Sequence, residues 1–453
     1  MASIPGGQYN VLAQGGQQVN VVTTSDGNNL PPPIPGQFNL EVISGGSVPP
    51  GIPAGYQGVA VLSDNGKTIN MAYGDWALHV TGDPTVIGGA CSDTIYGGDA
   101  PTLIIGGSGP DLIYGGSGRD TIQGGSGPDT IYGGTGDDLI FGGSGSALIF
   151  GGDGRDTIQG GSGPTTIYGG NGRDVITAGS GPTVIYGGNG KDTITGGSGP
   201  DTIYAGHGGD VITGGSGAAI IYAGDGPDTI QGGSGPDVIY GGSGHATITG
   251  GAGPDTIYGG SGRDVITGGS GPDLIIGGNG KDTITGGSGP DTIFAGHGGD
   301  LIIGGSGPDL IFGGDGRDTI IGGTGPDTIY GGDGRALIHG GAGPDLIVGG
   351  GANDTITGGS GPDTIDGGSG HNLITAGTGG TLIQDSGVRG QDTVVGFNQA
   401  HGDAITFSGQ DAGTVAHVVA TATVGGGSTT ITLPDGSTMT LVGITHIDNT
   451  FFH

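Results

Sequence analysis

Between residues 88 and 384 the chain repeats one pattern of apolar and polar positions every nine residues, without insertion or deletion. The stretch from Gly268 to Thr285 shows two copies, GGSGPDLII and GGNGKDTIT. The eighth position is isoleucine in all 33 copies, from Ile95 to Ile383. The last three residues of a copy, such as TIY or VIT, are β-branched or aromatic and favour a short strand. Alternate side chains of a strand face opposite ways, so the isoleucine points in and its neighbours point out. The preceding GGxGx has too little side chain to pack and too much glycine for a helix. It can adopt the left-handed backbone of a tight turn. A rigid period of turn and strand predicts a stacked solenoid.

The true period is 18. From Asp111 to Asp363 every second copy has proline before its sixth position in 13 of 15 cases. In the intervening copies proline occurs there once in 15, and Arg, Lys or His in 10. The ninth position splits the same way: Tyr or Phe in 12 of 15 proline copies, Thr or Gln in 11 of 15 of the others. Alternate copies therefore belong on opposite edges and opposite sheets of a two-sided coil. With strands ~4.8 Å apart, about 16 coils give a rod of roughly 80 Å. One isoleucine per strand makes a thin core, which cannot alone offset the entropy of ordering nine residues. Something else must stabilise the turns.

Composition narrows the choice. Of 453 residues, 120 are glycine, without the every-third spacing of collagen. The net charge is −32, with only 10 Lys plus Arg. So acidic a chain is expected not to bind nucleic acid. No apolar run approaches ~20 residues, which argues against membrane insertion. Abundant aspartate calls for counter-ions, and hard divalent cations with oxygen ligands are the natural candidates. Cys91 is the single cysteine, so no internal disulfide can form.

The unit GGxGxDxUx, with U a large apolar residue, resembles the RTX (hemolysin-type calcium-binding) repeat over residues 88–384. The resemblance implies an all-β fold: a parallel β-roll solenoid of 18-residue coils, two nonapeptides each, with small β-rich caps at both ends. It further implies calcium, many ions, lodged between successive turns of one edge and held by aspartate carboxylates and turn carbonyls. The candidate ligands are the sixth-position aspartates. On the proline edge these are Asp93, Asp111, Asp129, Asp201, Asp237, Asp255, Asp273, Asp291, Asp309, Asp327, Asp345 and Asp363. On the other edge they are Asp120, Asp138, Asp156, Asp174, Asp192, Asp210, Asp228, Asp264, Asp282, Asp300, Asp318 and Asp354. The competing reading is that they only cap turns through backbone hydrogen bonds. Carboxylates stacked in this number would repel strongly without cations.

The sixth position lacks aspartate at Thr102, Ala147, Thr165, Thr183, Ala219, Ala246, Ala336, Asn372 and Thr381. Consecutive losses at Ala147, Thr165 and Thr183 thin the proline edge, whereas Asp255 to Asp327 is unbroken and is expected to bind best. His207 and His297 stand in near-identical AGHGGD turns 90 residues apart, which reads as internal duplication in preference to metal ligation. Cys91 reads as a degenerate end copy, with an intermolecular disulfide as the alternative.

Residues 1–87 fall outside the repeat and are expected to be a β-rich cap or docking domain. Their first 30 residues lack the basic and apolar regions of a Sec signal. Residues 385–453 resemble the C-terminal cap of RTX proteins. In that family it carries an uncleaved signal for the type I secretion machinery, and Phe451 and Phe452 fit its apolar end. The resemblance implies a chain secreted to the extracellular space or cell surface, folding where calcium is plentiful.

No HExxH, GxSxG or phosphate-loop motif is present, so an enzyme is not expected. The leading expectation is a structural protein that self-associates, as homo-oligomer, lattice or filament, into a surface layer or matrix through its regular exposed ladders. The alternative is an adhesin or carbohydrate-binding module acting as a monomer on a cell-surface polysaccharide. Ice binding by the threonine ladder and catalysis within residues 1–87 rank below both. Stacked Tyr and Thr could also serve only to stabilise their own sheets.

Overall fold

The computed structural model describes the backbone of six strands between Gly7 and Val80, and every residue from 85 onward. The chain divides into two compact units, Met1–Ala223 and Gly224–His453. In both, the apolar periodicity becomes a parallel β-solenoid.

Within the first unit, Leu112–Gly116 pairs in parallel with Asp129–Thr135, placing Ile113 beside Ile131 and Tyr114 beside Tyr132. On the other sheet Thr121–Gly125 pairs with Leu139–Gly143, placing Ile122 beside Ile140. Each residue therefore meets its equivalent 18 positions on, as the alternation of proline and cation predicts. The second unit repeats the arrangement: Ile275 beside Ile293 on one sheet, Ile284 beside Ile302 on the other. Every repeat isoleucine from Ile95 to Ile383 is at most 1% exposed. Two facing columns of isoleucine are the core, and its thinness follows from one inward apolar residue per strand.

The turns need glycine for two reasons. Gly107 has φ +120°, a conformation that L side chains rarely adopt. A Cβ there would also collide with the carbonyl of Gly89 in the preceding coil. Close stacking of coils thus forbids side chains at this second position.

The parallel ladder starts upstream of the repeat. Thr85–Gly89 pairs with Leu103–Gly107, and Trp76–Val80 with Asp93–Gly98. Gly58–Val61, Phe38–Ile43 and Gln18–Thr24 continue it, and Gly7–Leu12 adds an antiparallel strand. Downstream, Gln391–Val395 and Ala404–Phe407 extend the two sheets in parallel. Thr438–Val442 follows in parallel and is met by the antiparallel strand Ser428–Thr432. Residues 385–453, expected as a β-rich cap, also include a helix, Ala412–Thr421, whose first turn is fixed by a capping box between Asp411 and Thr414. Val415 and Val418 are its buried residues. Phe451 stacks on Phe397, and Phe452 meets Phe407 edge-on.

Candidate metal centre

The sixth position shares its parity with the inward isoleucine two residues later, so its side chain enters the coil at the turn. All the aspartates named above are buried, none more than 4% exposed. One carboxylate oxygen has a clear role. Oδ1 of Asp111 accepts the backbone N–H of Asp93 at 2.9 Å, and Oδ1 of Asp129 accepts that of Asp111 at 3.0 Å. In the second unit the series runs from Asp255 accepting Asp237 N–H to Asp363 accepting Asp345 N–H, at 2.9 and 3.1 Å. Each carboxylate thereby ties its coil to the one before. The turn-capping reading is correct for this oxygen.

It does not account for the other. Oδ2 of Asp111, Asp129, Asp273, Asp291 and their equivalents is buried with no hydrogen-bond donor. A Cβ built on Gly106 would stand 2.5 Å from Oδ2 of Asp111 and 2.6 Å from the carbonyl oxygen of Gly124, one coil on. At Gly250 the same construction meets Oδ2 of Asp255 and the Gly268 carbonyl at 2.5 and 2.7 Å. Two acceptors converge with no proton between them. A buried acceptor so placed is unfavourable by about 1–3 kcal/mol, more when charged.

The exceptions show what is needed. Asn372 keeps the Oδ1 bond, accepting Asp354 N–H at 2.9 Å. Its Nδ2 donates to the Gly367 carbonyl at 3.0 Å and to Asp392 at 2.9 Å. Thr165 and Thr183 donate their hydroxyls to the carbonyls of Gly163 and Gly181 at 3.0 and 3.1 Å. Thr102 does the same to Ala100 at 2.9 Å. At Thr102, Thr165, Thr183 and Asn372 the substitute brings a proton to a turn oxygen, whereas the Thr381 hydroxyl accepts the N–H of Gly377 at 3.0 Å. Where the carboxylate remains, a cation must take that part. Among the described residues no cluster of three or more His, Cys, Asp or Glu side chains forms. Carbonyls must therefore complete any coordination shell, a donor set suited to calcium and unsuited to zinc. The Oδ2 atoms and turn carbonyls would hold the ion, which supplies the positive charge they lack.

Electrostatics agree. Burial pushes Asp129, Asp156, Asp255 and Asp291 up to about 7, against the backbone hydrogen bonds that lower them, with neighbouring carboxylates adding to the rise. Asp120, Asp192 and Asp282 rise to about 6 for the same leading reason. Without a cation, burial opposes the ionisation of these groups.

The interruption at Ala147, Thr165 and Thr183 changes the backbone. With no Oδ1 to accept it, Asp129 N–H donates to Ser146 O at 2.9 Å, and Ala147 N–H to Pro164 O at 3.1 Å. The strands there begin one residue early, at Asp129, Ala147, Thr165 and Thr183, instead of at the seventh position as in Leu112–Gly116. Sheet pairing substitutes for the missing carboxylate.

Two aspartates were missed. Oδ1 of Asp403 accepts Thr381 N–H at 2.8 Å, and Asp392 accepts from Asn372. Both continue the sixth-position columns after the spacing has lengthened to 22 and 20 residues. The local strings QDTVV and GDAIT still carry the aspartate and the inward apolar residue two positions later, and that was the available signal. His297 pairs with Asp315 at 2.9 Å on the surface.

The solved extracellular lipase LipA from Serratia marcescens matches at 19% identity over 52% of this chain, with a TM-score of 0.18. The chain spans 44% of that lipase. Comparison with curated protein sequences gives no match. The family described as RTX calcium-binding nonapeptide repeat matches in successive segments from residues 81–100 to 348–383. With the repeat, the parallel roll and the acceptor-lined turns in agreement, the chain belongs to the RTX calcium-binding nonapeptide repeat family.

Proposed function

We propose that this calcium-binding repeat protein is a secreted structural component, folding on extracellular calcium and self-assembling into a surface layer, filament or matrix. The observation that carries the proposal is an aromatic column on one sheet. From Tyr96 to Tyr222 the ninth-position rings stack without a break, centroids 4.7–5.0 Å apart and planes within 7°. Tyr186, Tyr204 and Tyr222 are 36%, 37% and 36% exposed, and Ile220, on the strand of Tyr222 and two residues before it, is 41% exposed. A straight, regular, partly apolar ridge suits a like ridge on another copy. It suits a sugar less well, because saccharides favour ring faces and these faces are covered by one another.

The role is structural, with the roll itself as the functional part. Release through a type I system fits the family and a chain whose carboxylates oppose folding until calcium is met. Among the described residues no helix is long and apolar enough to cross a membrane.

Light scattering and negative-stain microscopy of the whole chain, titrated from chelator to millimolar calcium, test the proposal. Ordered lattices or filaments appearing with calcium are expected. A folded chain that stays monomeric at every concentration removes self-assembly and transfers the case to a monomeric adhesin.

A further inference from the structure

The ten cationic side chains are not scattered. All but Lys67 and Arg389 occupy the fifth position of the non-proline edge. The proline edge presents uncharged residues in the same place, as at Pro110, Ser146 and Ala218. One edge of an acidic protein has thus collected nearly all its positive charge.

In the first unit this row contains its own anion. Asp137 takes the fifth position between Arg119 and Arg155, pairing with them at 3.4 and 3.1 Å. It also accepts Arg155 N–H at 3.0 Å. In the second unit the equivalent place between Lys281 and Arg317 is Gly299, which offers no side chain. A trough of about 870 Å³ results, lined by Lys281, Gly299, Arg317, Arg335 and Asn353. Lys281, Arg317 and Arg335 are exposed and form no ion pair among the described residues. The third position of the same turns carries acceptors, Asp315 and Asp333, both exposed.

We infer that this trough binds the anionic groups of an acidic polysaccharide, a carboxylate or sulfate lying where Asp137 lies in the first unit. Lys281 and Arg317 would flank the anion as Arg119 and Arg155 flank Asp137. Asp333 favours a sugar over a nucleic acid, and so does the Asp315 oxygen left over from its pair with His297. They can accept hydrogen bonds from hydroxyls, whereas a deoxyribose-phosphate backbone offers them no donor and a dense negative field. Coils that repeat at strand spacing present the cations in a line, which suits a linear polymer. The inference requires only the folded roll and is independent of self-assembly.

The test measures binding of dextran sulfate to the whole calcium-loaded chain, with neutral dextran and a single-stranded oligonucleotide of equal charge as comparators. The variants are Lys281→Gln with Arg317→Gln, and Gly299→Asp, which supplies the anion internally. Calcium-induced circular dichroism verifies that each variant folds. Dextran sulfate is expected to bind, neutral dextran is not, and each variant is expected to weaken binding about tenfold or more as charge contacts are lost or neutralised. Absence of binding by the wild type overturns the inference, as does undiminished binding by folded variants. An oligonucleotide that binds as tightly as dextran sulfate also overturns it and assigns the row to nucleic acid.

Discussion

At the scale of single residues the roll is governed by one carboxylate atom, Oδ2 of the sixth-position aspartate. Its distance from a Cβ on the first glycine varies from turn to turn, being 2.5 Å at Gly106 and Gly151 and 3.2 Å at Gly313. On the proline edge alanine replaces that glycine only at Ala178 and Ala376, whose own copies carry Thr183 and Thr381 in place of aspartate. On the other edge Ala205, Ala223 and Ala295 coexist with Asp210, Asp228 and Asp300. A Cβ on Gly304 of the proline edge would lie 2.5 Å from Oδ2 of Asp309, but one on Gly313 of the other edge would lie 3.2 Å from Oδ2 of Asp318. Gly304→Ala should therefore lower calcium affinity and destabilise the loaded form by about 1–3 kcal/mol, through a displaced buried acceptor. Gly313→Ala would meet the Gly331 carbonyl at 2.4 Å but stand farther from its carboxylate, so it should lower calcium affinity less than Gly304→Ala, and calorimetric titration of the two variants compares them directly. Acid should replace calcium in part. Because the folded carboxylates titrate above their unfolded value, near 6 or 7 for Asp282 and Asp291, they favour the calcium-free fold fully below about pH 4, and that contribution is lost as pH rises through 7. In calcium-free buffer the β-sheet circular dichroism should be stronger near pH 5 than near pH 8. Equal signals would contradict the burial account.

At the scale of the element, each strand and its turn trade the same backbone donor. At Asp129, Ala147, Thr165 and Asp201, where the next coil lacks aspartate, the N–H of position six goes to a carbonyl and the strand starts there. The trade is local, since Thr183 starts its strand equally early while donating to Oδ1 of Asp201, and Asp228 and Asp318 start theirs at position seven before Ala246 and Ala336. Ala147→Asp, Thr165→Asp and Thr183→Asp together should convert the early-starting strands of the first unit back to the short form. The variant should then bind additional calcium, measured as ion stoichiometry per chain against the wild type. An unchanged stoichiometry would mean that these turns are unsuited to an ion for another reason. Much of this level was legible from the residues. Isoleucine at every ninth place, the alternation of proline with cations and the tyrosine column indicated the two sheets and their register, whereas the role of the aspartates came only with the resemblance to the RTX repeat. What escaped depended on contacts between coils. That Thr165 and Asn372 donate protons to turn carbonyls cannot be read from a period. Asp392 and Asp403 were hidden because the bends before them are longer, although their strands keep register. The helix Ala412–Thr421 was overlooked because its signal is a capping box, Asp411 with Thr414, in a segment without repeat.

At the scale of the whole molecule, each unit is a one-dimensional stack in which a coil contacts only its neighbours. Its stability is then the sum of coil terms and junction terms, and calcium enters through the junctions. Removing one carboxylate in the unbroken series, as in Asp291→Ala, should weaken the two junctions it serves and leave distant ones intact. Hydrogen exchange in limiting calcium should show protection lost around residues 273–309 before it is lost near Asp345. Uniform loss along the unit would indicate a single cooperative block instead.

The same stack has a mechanical meaning. Because the Oδ1 bonds and the parallel sheet pairing tie each coil to its immediate neighbours, a pull on the chain end would peel the solenoid one loop at a time. Each loop of 18 residues would release about 60 Å of extended chain, so a tethered copy would lengthen in regular steps under load. Calcium concentration would set the force at which each step yields.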